Sequence, residues 1–379
     1  MSNAMNTSWL IPCYPSLGMG LSVFWSPGIS RRTGPRPAGY VNALMTFIAL
    51  LHSVFAFLAI QNQAPQYFSV SWLDAATLHI DFEWSVSLTK LTALIIVTGL
   101  NLLAQIYAIA YLEMDWGWAR FYSLLALFEA GLCTLILTNS LFFSYVMLEI
   151  LTLGTYLIIG YWFNQSLVVT GARDAFLTKR VGDLFLLMGV VALYPLAGTW
   201  NYQELATWAQ TAELDPTLAT LLSLALIAGP VGKCAQFPLH LWLDEAMEGP
   251  LPATILRNAI VVCSGAWVLI LVQPIIAISP IGLTVTIAIG AISAIGASLI
   301  AIAQTDIKRI LSYAVSAYLG FVFIAVGVGE TQTALILLLA YSLAMALLVM
   351  AMGNIILSNI TQDVTFYGGL WSRRPITGL

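Results

Sequence analysis

The sequence predicts an all-α polytopic membrane protein of about eleven transmembrane helices, with a broken seventh helix and one small extramembrane β-hairpin. Three observations carry that expectation. Hydrophobic residues fill 60% of the 379 positions and charged residues 8%, with a mean hydropathy of +0.89, where soluble domains carry roughly 25% charge. The apolar runs recur at lengths near the ~20 residues that a bilayer core requires. The few charges are sorted by sign into alternate loops.

In order, the runs are 8–27, 40–61, 87–111, 119–138, 140–162, 178–197, 217–236, 252–274, 281–303, 310–329 and 332–357. The first has no basic leader and no small-residue cleavage site, so no cleavable signal peptide is expected. Between the second and third runs, Tyr67 to Glu83 alternates polar and apolar residues with the period of a strand pair, which predicts a hairpin cap outside the membrane. Tyr202 to Asp215 is polar and acidic, and Leu239 to Met247 is amphipathic.

Of the 14 Lys and Arg residues, eleven fall in loops that follow odd-numbered runs: Arg31, Arg32, Arg36, Arg120, Arg173, Lys179, Arg180, Lys308, Arg309, Arg373 and Arg374. The opposite loops carry Asp74, Asp81, Glu83, Glu204, Glu213, Asp215 and Glu330 without a cation. Under the positive-inside rule the odd loops face the cytoplasm and the N-terminus faces the lumen or periplasm. The net charge of −4 lacks a basic cluster, which excludes the electrostatic footprint of nucleic-acid binding. Cys13, Cys133, Cys234 and Cys263 have no paired spacing and read as small buried hydrophobes. His52, His79 and His240 are scattered over different segments, so no metal set is expected in this chain. Nucleotide loops, flavin motifs, haem ligand pairs and iron–sulfur spacings are absent from the sequence.

The chemical inventory is therefore the set of ionisable residues inside the runs. Lys90, Lys233 and Arg257 are the cations, and Glu129, Glu149 and Asp183 the carboxylates. Each would cost roughly 2.5–3.5 kcal/mol on insertion scales if uncompensated, so pairing or neutralisation is expected. Asp183 shares a helical face with Lys179 and Arg180, four and three residues earlier. A structural intrahelical ion pair is one reading of that spacing and a functional carboxylate the other. Glu149 has no partner nearby in sequence, and Lys233 is the natural cation for it. The stretch from Val231 to Asn258 surrounds Lys233 with breaks: Pro238 ends one helix, and Pro250 and Pro252 start the next, which carries Arg257 and Asn258. A helix interrupted at membrane depth is tolerated only where protein or water takes over the freed backbone groups. A lone lysine that snorkels to the headgroups is the bland alternative.

Four stretches resemble one family. GPVGKCAQFPLHLWLDEAMEGPLPATIL resembles the broken seventh helix of the antiporter-like subunits of complex I and of multi-subunit cation/proton antiporters. YVMLEILTLGTYLIIGYW around Glu149 resembles the family's glutamate helix, TKRVGDLFLL its Arg-Val-Gly-Asp segment, and QTDIKRILSYAVSAYLGFVF its Thr-Asp-Ile-Lys-Arg loop. The detailed pattern is most similar to the chain-5 type subunit. The resemblance implies an antiporter-like fold in which 1–86 forms the N-terminal helices and hairpin cap, 87–275 the first bundle, and 276–379 the start of a second. It also implies a C-terminally incomplete copy.

The resemblance further implies roles. Glu149 and Lys233 match the glutamate and lysine of the family's proton path, and Arg180 and Asp183 match an ion pair that modulates it. Pro238, Asp306 and Lys308 match positions supporting the broken helix and the following loop. Where the family carries His in the eighth helix this chain has Asn258, preceded by Arg257, and Leu337, Tyr341 and Met345 stand where pumping copies carry two His and a Lys. Asn and Met cannot carry a proton near neutral pH. That departure resembles the variant in cyanobacterial type I NAD(P)H dehydrogenases that serves carbon dioxide uptake. The implied function is a membrane-arm subunit coupling plastoquinone reduction and proton translocation to hydration of carbon dioxide to bicarbonate. Arg257, Asn258 and Glu129 would then line the hydration side. The implied setting is the thylakoid or plasma membrane, beside a chain-4 type subunit and, at the distal end, a carbon dioxide hydration protein. Iron–sulfur clusters, plastoquinone and any zinc would belong to partners, with no cofactor in this chain. The alternatives are an ordinary proton-pumping chain-5 subunit and a stand-alone anion or cation/proton carrier.

Overall fold

The computed structural model describes residues 2–29, 34–61, 63–75 and 78–378. Arg31 and Arg32 lie outside the described residues, as do the side chains of His79 and Arg373. The chain forms two compact units, one of Met1–Gly154 with Leu187–Glu213 and one of Thr155–Leu186 with Leu214–Leu379. Among the described residues ten helices are long and apolar enough to cross a membrane.

The first expected run, 8–27, is instead segmented. After a short α1 (Ser2–Asn6), a 3-10 turn (Ser8–Leu10) leads into α2 (Cys13–Ser22) and a second 3-10 turn (Val23–Trp25). Pro12 and Pro15 occupy the junction and first turn of α2, where each removes a backbone donor. Cys13 is exposed, a correction to its expected burial: it starts α2 on the outward side, its Sγ donating to the Trp9 carbonyl. The long helices of the first unit are α3 (Pro37–Ile60), α4 (Leu88–Tyr111) and α5 (Trp118–Leu137), followed by most of α6 (Leu141–Ile159).

The hairpin forms where alternation predicts it. β1 (Gln66–Ala75) pairs antiparallel with β2 (Leu78–Val86), running from Gln66↔Val86 to Ala75↔Leu78 with a bulge between Ser71 and Leu73. Glu83 stitches the hairpin to the loops beside it. Its carbonyl accepts from Asn139 N at 2.9 Å, and its carboxylate accepts from Asn201 Nδ2 at 2.6 Å. Burial is the larger influence on this carboxyl and raises its pKa, while the Asn201 bond lowers it. Lys90 sits in the first turn of α4 and caps the end of α5. Its ammonium donates to Ser85 Oγ at 2.7 Å and to the carbonyls of Thr138 and Leu137 at 2.9 and 3.1 Å, a favourable place for a cation because those carbonyls end a helix.

α7 (Ser166–Ala197) begins twelve residues before the expected run of 178–197. Hydropathy counts only the apolar part of a helix, and the added turns carry the exposed Arg173–Asp174 pair at 2.8 Å. α8 (Tyr202–Thr211) starts at Asn201, whose side chain accepts from Gln203 N and Glu204 N. α9 (Pro216–Lys233) starts at Asp215 in the same manner, with Pro216 at its first position.

In the second unit α9 packs on α12 (Cys263–Ile276) and on α13 (Pro280–Ala303), which lies along α14 (Ile307–Val328). α12 is preceded by α10 (Leu241–Glu245), a 3-10 turn (Ala246–Glu248), α11 (Leu251–Leu256) and a π-helical turn (Arg257–Val261). α15 (Thr331–Asn359) completes the long helices, with the four-residue α16 (Leu370–Arg373) and α17 (Pro375–Gly378) after it. Asp306 caps α14, accepting from Lys308 N at 2.8 Å and Arg309 N at 3.3 Å.

Candidate functional site

The second unit is built around the end of α9. Helical hydrogen bonding stops at Lys233, Ala235 turns the chain with a φ of 50°, and the Phe237–Pro238 peptide is cis. The freed backbone is taken up by protein. Gln236 Nε2 donates to the carbonyls of Cys234 and Ser316, both at 3.0 Å, and Phe237 N donates to Ser293 Oγ at 2.9 Å. These bonds meet the condition for an interrupted helix in lipid.

Lys233 Nζ lies 2.6 Å from Asp183 Oδ1, with the two side chains 2% and 1% exposed. Glycine makes that contact possible. A Cβ on Gly182 would sit 2.6 Å from the Ala228 carbonyl, so α7 can approach the α9 backbone only without one. A Cβ on Gly265 of α12 would meet Lys233 Cβ at 2.6 Å. Small residues let helices in a membrane close on one another, and van der Waals contact and polar pairing then hold them.

Lys179 completes the cluster from one turn earlier on α7. Its position in the sequence groups it with the loop cations, yet it is 2% exposed. Its Nζ donates to Thr155 Oγ1 at 3.0 Å and stands 4.0 Å from the centroid of the Trp242 ring. Trp242 is itself fixed to the broken helix, with Nε1 donating to the Gly232 carbonyl at 2.7 Å. Arg180, next in sequence and about 100° further round the helix, is half-buried with its guanidinium 4.8 Å from the Phe176 ring centroid. The Asp183–Lys233 pair thus supplies Asp183 with an interhelical partner that the intrahelical spacing alone did not indicate.

Arg257 is fully buried in the π-helical turn. Its Nη1 donates to the Ala246 carbonyl at 2.6 Å, Nη2 to Thr254 Oγ1 at 3.2 Å, and Nε to Asn258 Oδ1 at 3.2 Å. Lys308 Nζ donates to the neighbouring Met247 carbonyl at 3.3 Å, and Arg309 pairs with Asp244 at 3.2 Å. Three cations thus hold the amphipathic segment that carries Trp242. Tyr341 Oη donates to the Asn258 carbonyl at 2.5 Å, and Met345 is buried one turn further along α15. Pro238 is exposed beyond the break. Outside the spans, burial raises the Asp244 carboxyl while Arg309 opposes the rise. Burial also lowers His240, whose ring stacks on Phe237.

Glu129 and Glu149 lie in the first unit. Glu149 is half-buried on α6. Glu129 is fully buried on α5, where its Oε2 accepts from Thr46 Oγ1 and Asn101 Nδ2, both at 2.5 Å. Gln105 Nε2 donates to the same Thr46 hydroxyl at 2.8 Å. No group of three or more His, Cys, Asp or Glu side chains converges as a metal set among the described residues. Sequence reasoning missed Lys179, Trp242 and the two close-packed glycines. A signal was present in Gly182, wedged between Arg180 and Asp183, and in a tryptophan within a short amphipathic break.

An apolar helix that breaks off at a buried lysine, with a carboxylate brought to it from a second helix, defines a membrane protein of the antiporter-like class. The chain belongs to the family described as NADH:quinone oxidoreductase/Mrp antiporter, TM, which matches residues 138–379. Residues 72–122 match the N-terminus of complex I chain 5. NAD(P)H-quinone oxidoreductase subunit 5, organellar chromatophore 2, of Paulinella chromatophora is 49% identical over all of this chain and 61% of its own length. The Synechocystis NAD(P)H-quinone oxidoreductase chain 5 is 28% identical over 98% of this chain and 57% of its own. The chain therefore spans between about half and three-fifths of the relatives it matches. The solved Mrp complex from Dietzia sp. DQ12-45-1b shares the fold, with a TM-score of 0.79 over 91% of this chain and 37% of that one at 23% identity.

Proposed function

We propose that this chain is a chain-5 type membrane subunit of a proton-translocating NAD(P)H-quinone oxidoreductase, and that protons pass through its buried Asp183–Lys233 site. The buried ion pair at the helix break carries this reading. An amine 2.6 Å from a carboxylate can exchange a proton with it directly, and Arg180 sets the charge beside the pair. Glu149, the other carboxylate of the family pattern, is the second station of the path. The redox centres, iron–sulfur clusters and plastoquinone belong to partner subunits, and a chain-4 type antiporter-like subunit is the neighbour in the membrane arm. The test is Lys233→Met in the intact complex: proton uptake per electron falls while quinone reduction and assembly persist. Unchanged uptake overturns the path. Recovery of the chain outside any large membrane complex overturns the subunit assignment and favours a stand-alone carrier.

The finer reading is specialisation for carbon dioxide uptake in a cyanobacterial thylakoid or plasma membrane, with the N-terminus lumenal or periplasmic and a hydration protein as distal partner. What favours it is the chemistry beyond Lys233: a buried guanidinium held by neutral groups, an amide at Asn258, a phenol bonded to a backbone carbonyl and a thioether at Met345. Such groups do not relay protons near neutral pH. Arg257, Asn258 and Glu129 then serve the hydration side, where a fixed cation attracts bicarbonate and repels protons. Zinc, where hydration uses it, belongs to the partner. Arg257→Leu lowers carbon dioxide uptake without dissociating the complex, and unchanged uptake returns the chain to ordinary proton pumping.

A further inference from the structure

We infer that Lys179 is itself a proton-carrying residue of the path, the station on the far side of Asp183 from Lys233. The inference deepens the proton-path reading and rests on it. Asp183 faces Lys233 at 2.6 Å across helices, and Lys179 stands one turn from Asp183 on the same face of α7, equally buried. Among the described residues, the hydrogen-bond and ring contacts of the Lys179 amine are with neutral groups, the Thr155 hydroxyl at 3.0 Å and the face of Trp242 at 4.0 Å.

That environment suits loading and unloading. A buried ammonium bonded to a carboxylate is held as an ion pair, whereas one held by a hydroxyl and a ring can become a neutral amine and keep both contacts, since the Thr155 hydroxyl can donate as well as accept. The electron balance is simple. An N–H bond of the Lys233 ammonium breaks as an O–H bond forms on Asp183. That O–H then breaks as an N–H bond forms on Lys179, through a rotamer change or one bridging water. Lys233 is left a neutral amine and Lys179 an ammonium, and nothing is oxidised or reduced. Trp242 joins the two lysines mechanically, because its ring faces Lys179 while its N–H holds the Gly232 carbonyl next to Lys233. A displacement of the amphipathic segment would reach both amines.

Lys179→Arg separates a carrier from a structural cation. Arginine keeps the charge and can face both Thr155 and Trp242, yet it does not release its proton. Proton uptake per electron is measured in membrane vesicles holding the intact complex, with Lys233→Met as the calibrating variant. Lys179→Met and Lys179→Arg are each expected to remove the same share of uptake as Lys233→Met, with assembly checked by co-purification. Wild-type uptake in Lys179→Arg overturns the inference and makes Lys179 a structural staple. No effect of Lys233→Met brings down the proton path itself. Where the arginine variant does not assemble, Lys179→His decides. A carrier retains part of the uptake with its pH optimum shifted to lower pH, whereas an unmoved optimum overturns the inference.

Discussion

Gly265→Ala tests whether the buried ion pair depends on helix packing. The added Cβ would stand 2.6 Å from Lys233 Cβ, 3.0 Å from Cys234 Sγ and 3.1 Å from Pro230 Cα, where ordinary contact begins at 3.4 Å. The Lys233 contact must therefore open by 0.8 Å, from 2.6 to 3.4 Å. Two of the three neighbours are rigidly placed in α9, so relief comes from shifting that helix end. An equal shift along the ion-pair axis would take its nitrogen–oxygen distance from 2.6 Å to about the limit of a hydrogen bond. Overpacking of this kind costs about 1–3 kcal/mol. If that energy falls wholly on proton transfer, the rate drops roughly 5- to 150-fold. The assay is proton uptake per electron in vesicles, with quinone reduction measured on the same sample. Gly296→Ala is the control, because nothing lies within 4 Å of that Cβ, and alanine there should be neutral or stabilising by up to ~1 kcal/mol. Wild-type uptake in an assembled Gly265→Ala complex would refute the claim that packing sets the pair.

Further outcomes are expected. Asp183→Asn leaves Lys233 buried without this partner and should cost about 3–5 kcal/mol of stability, read as a lower melting temperature of the complex. A double variant with Lys233→Met should recover much of that loss, and a purely additive result would count against the pairing. Asn201→Ala should loosen the hairpin anchorage at Glu83, seen as faster amide exchange over β2, with unchanged exchange refuting the anchor. Asp244 has a folded-state pKa raised by burial despite Arg309. It therefore favours the folded state below its ordinary value of about 3.9, and that contribution is lost as pH rises through the raised value. Asp244→Asn should flatten this part of the stability profile without lowering the melting temperature at neutral pH. A lower value there would mean that the Arg309 pair outweighs burial.

The membrane class, the positions of ten spans and the hairpin were legible in the sequence because each follows from short-range rules. Bilayer thickness fixes run length, and strand alternation has period two. The break after Lys233 was legible too, since Pro238 disfavours continuing a helix and Pro250 and Pro252 suit the start of one. Hydropathy failed at residues 8–27, where prolines segment an apolar run, and at the start of α7, where a helix extends beyond its apolar stretch. The partner of Asp183 was decided by tertiary structure, because spacing along one helix favours Lys179 and Arg180 whereas close packing at Gly182 and Gly265 delivers Lys233. The same holds for Lys179. Its charge looks like a loop charge in sequence, and only the rotation of α7 turns it into the interior against Trp242 while Arg180 takes the half-buried side. Sequence marks the charges that lie inside apolar runs, whereas helix rotation and backbone approach, set by packing over distant residues, bring in Lys179 from the edge of a run and decide which charges meet.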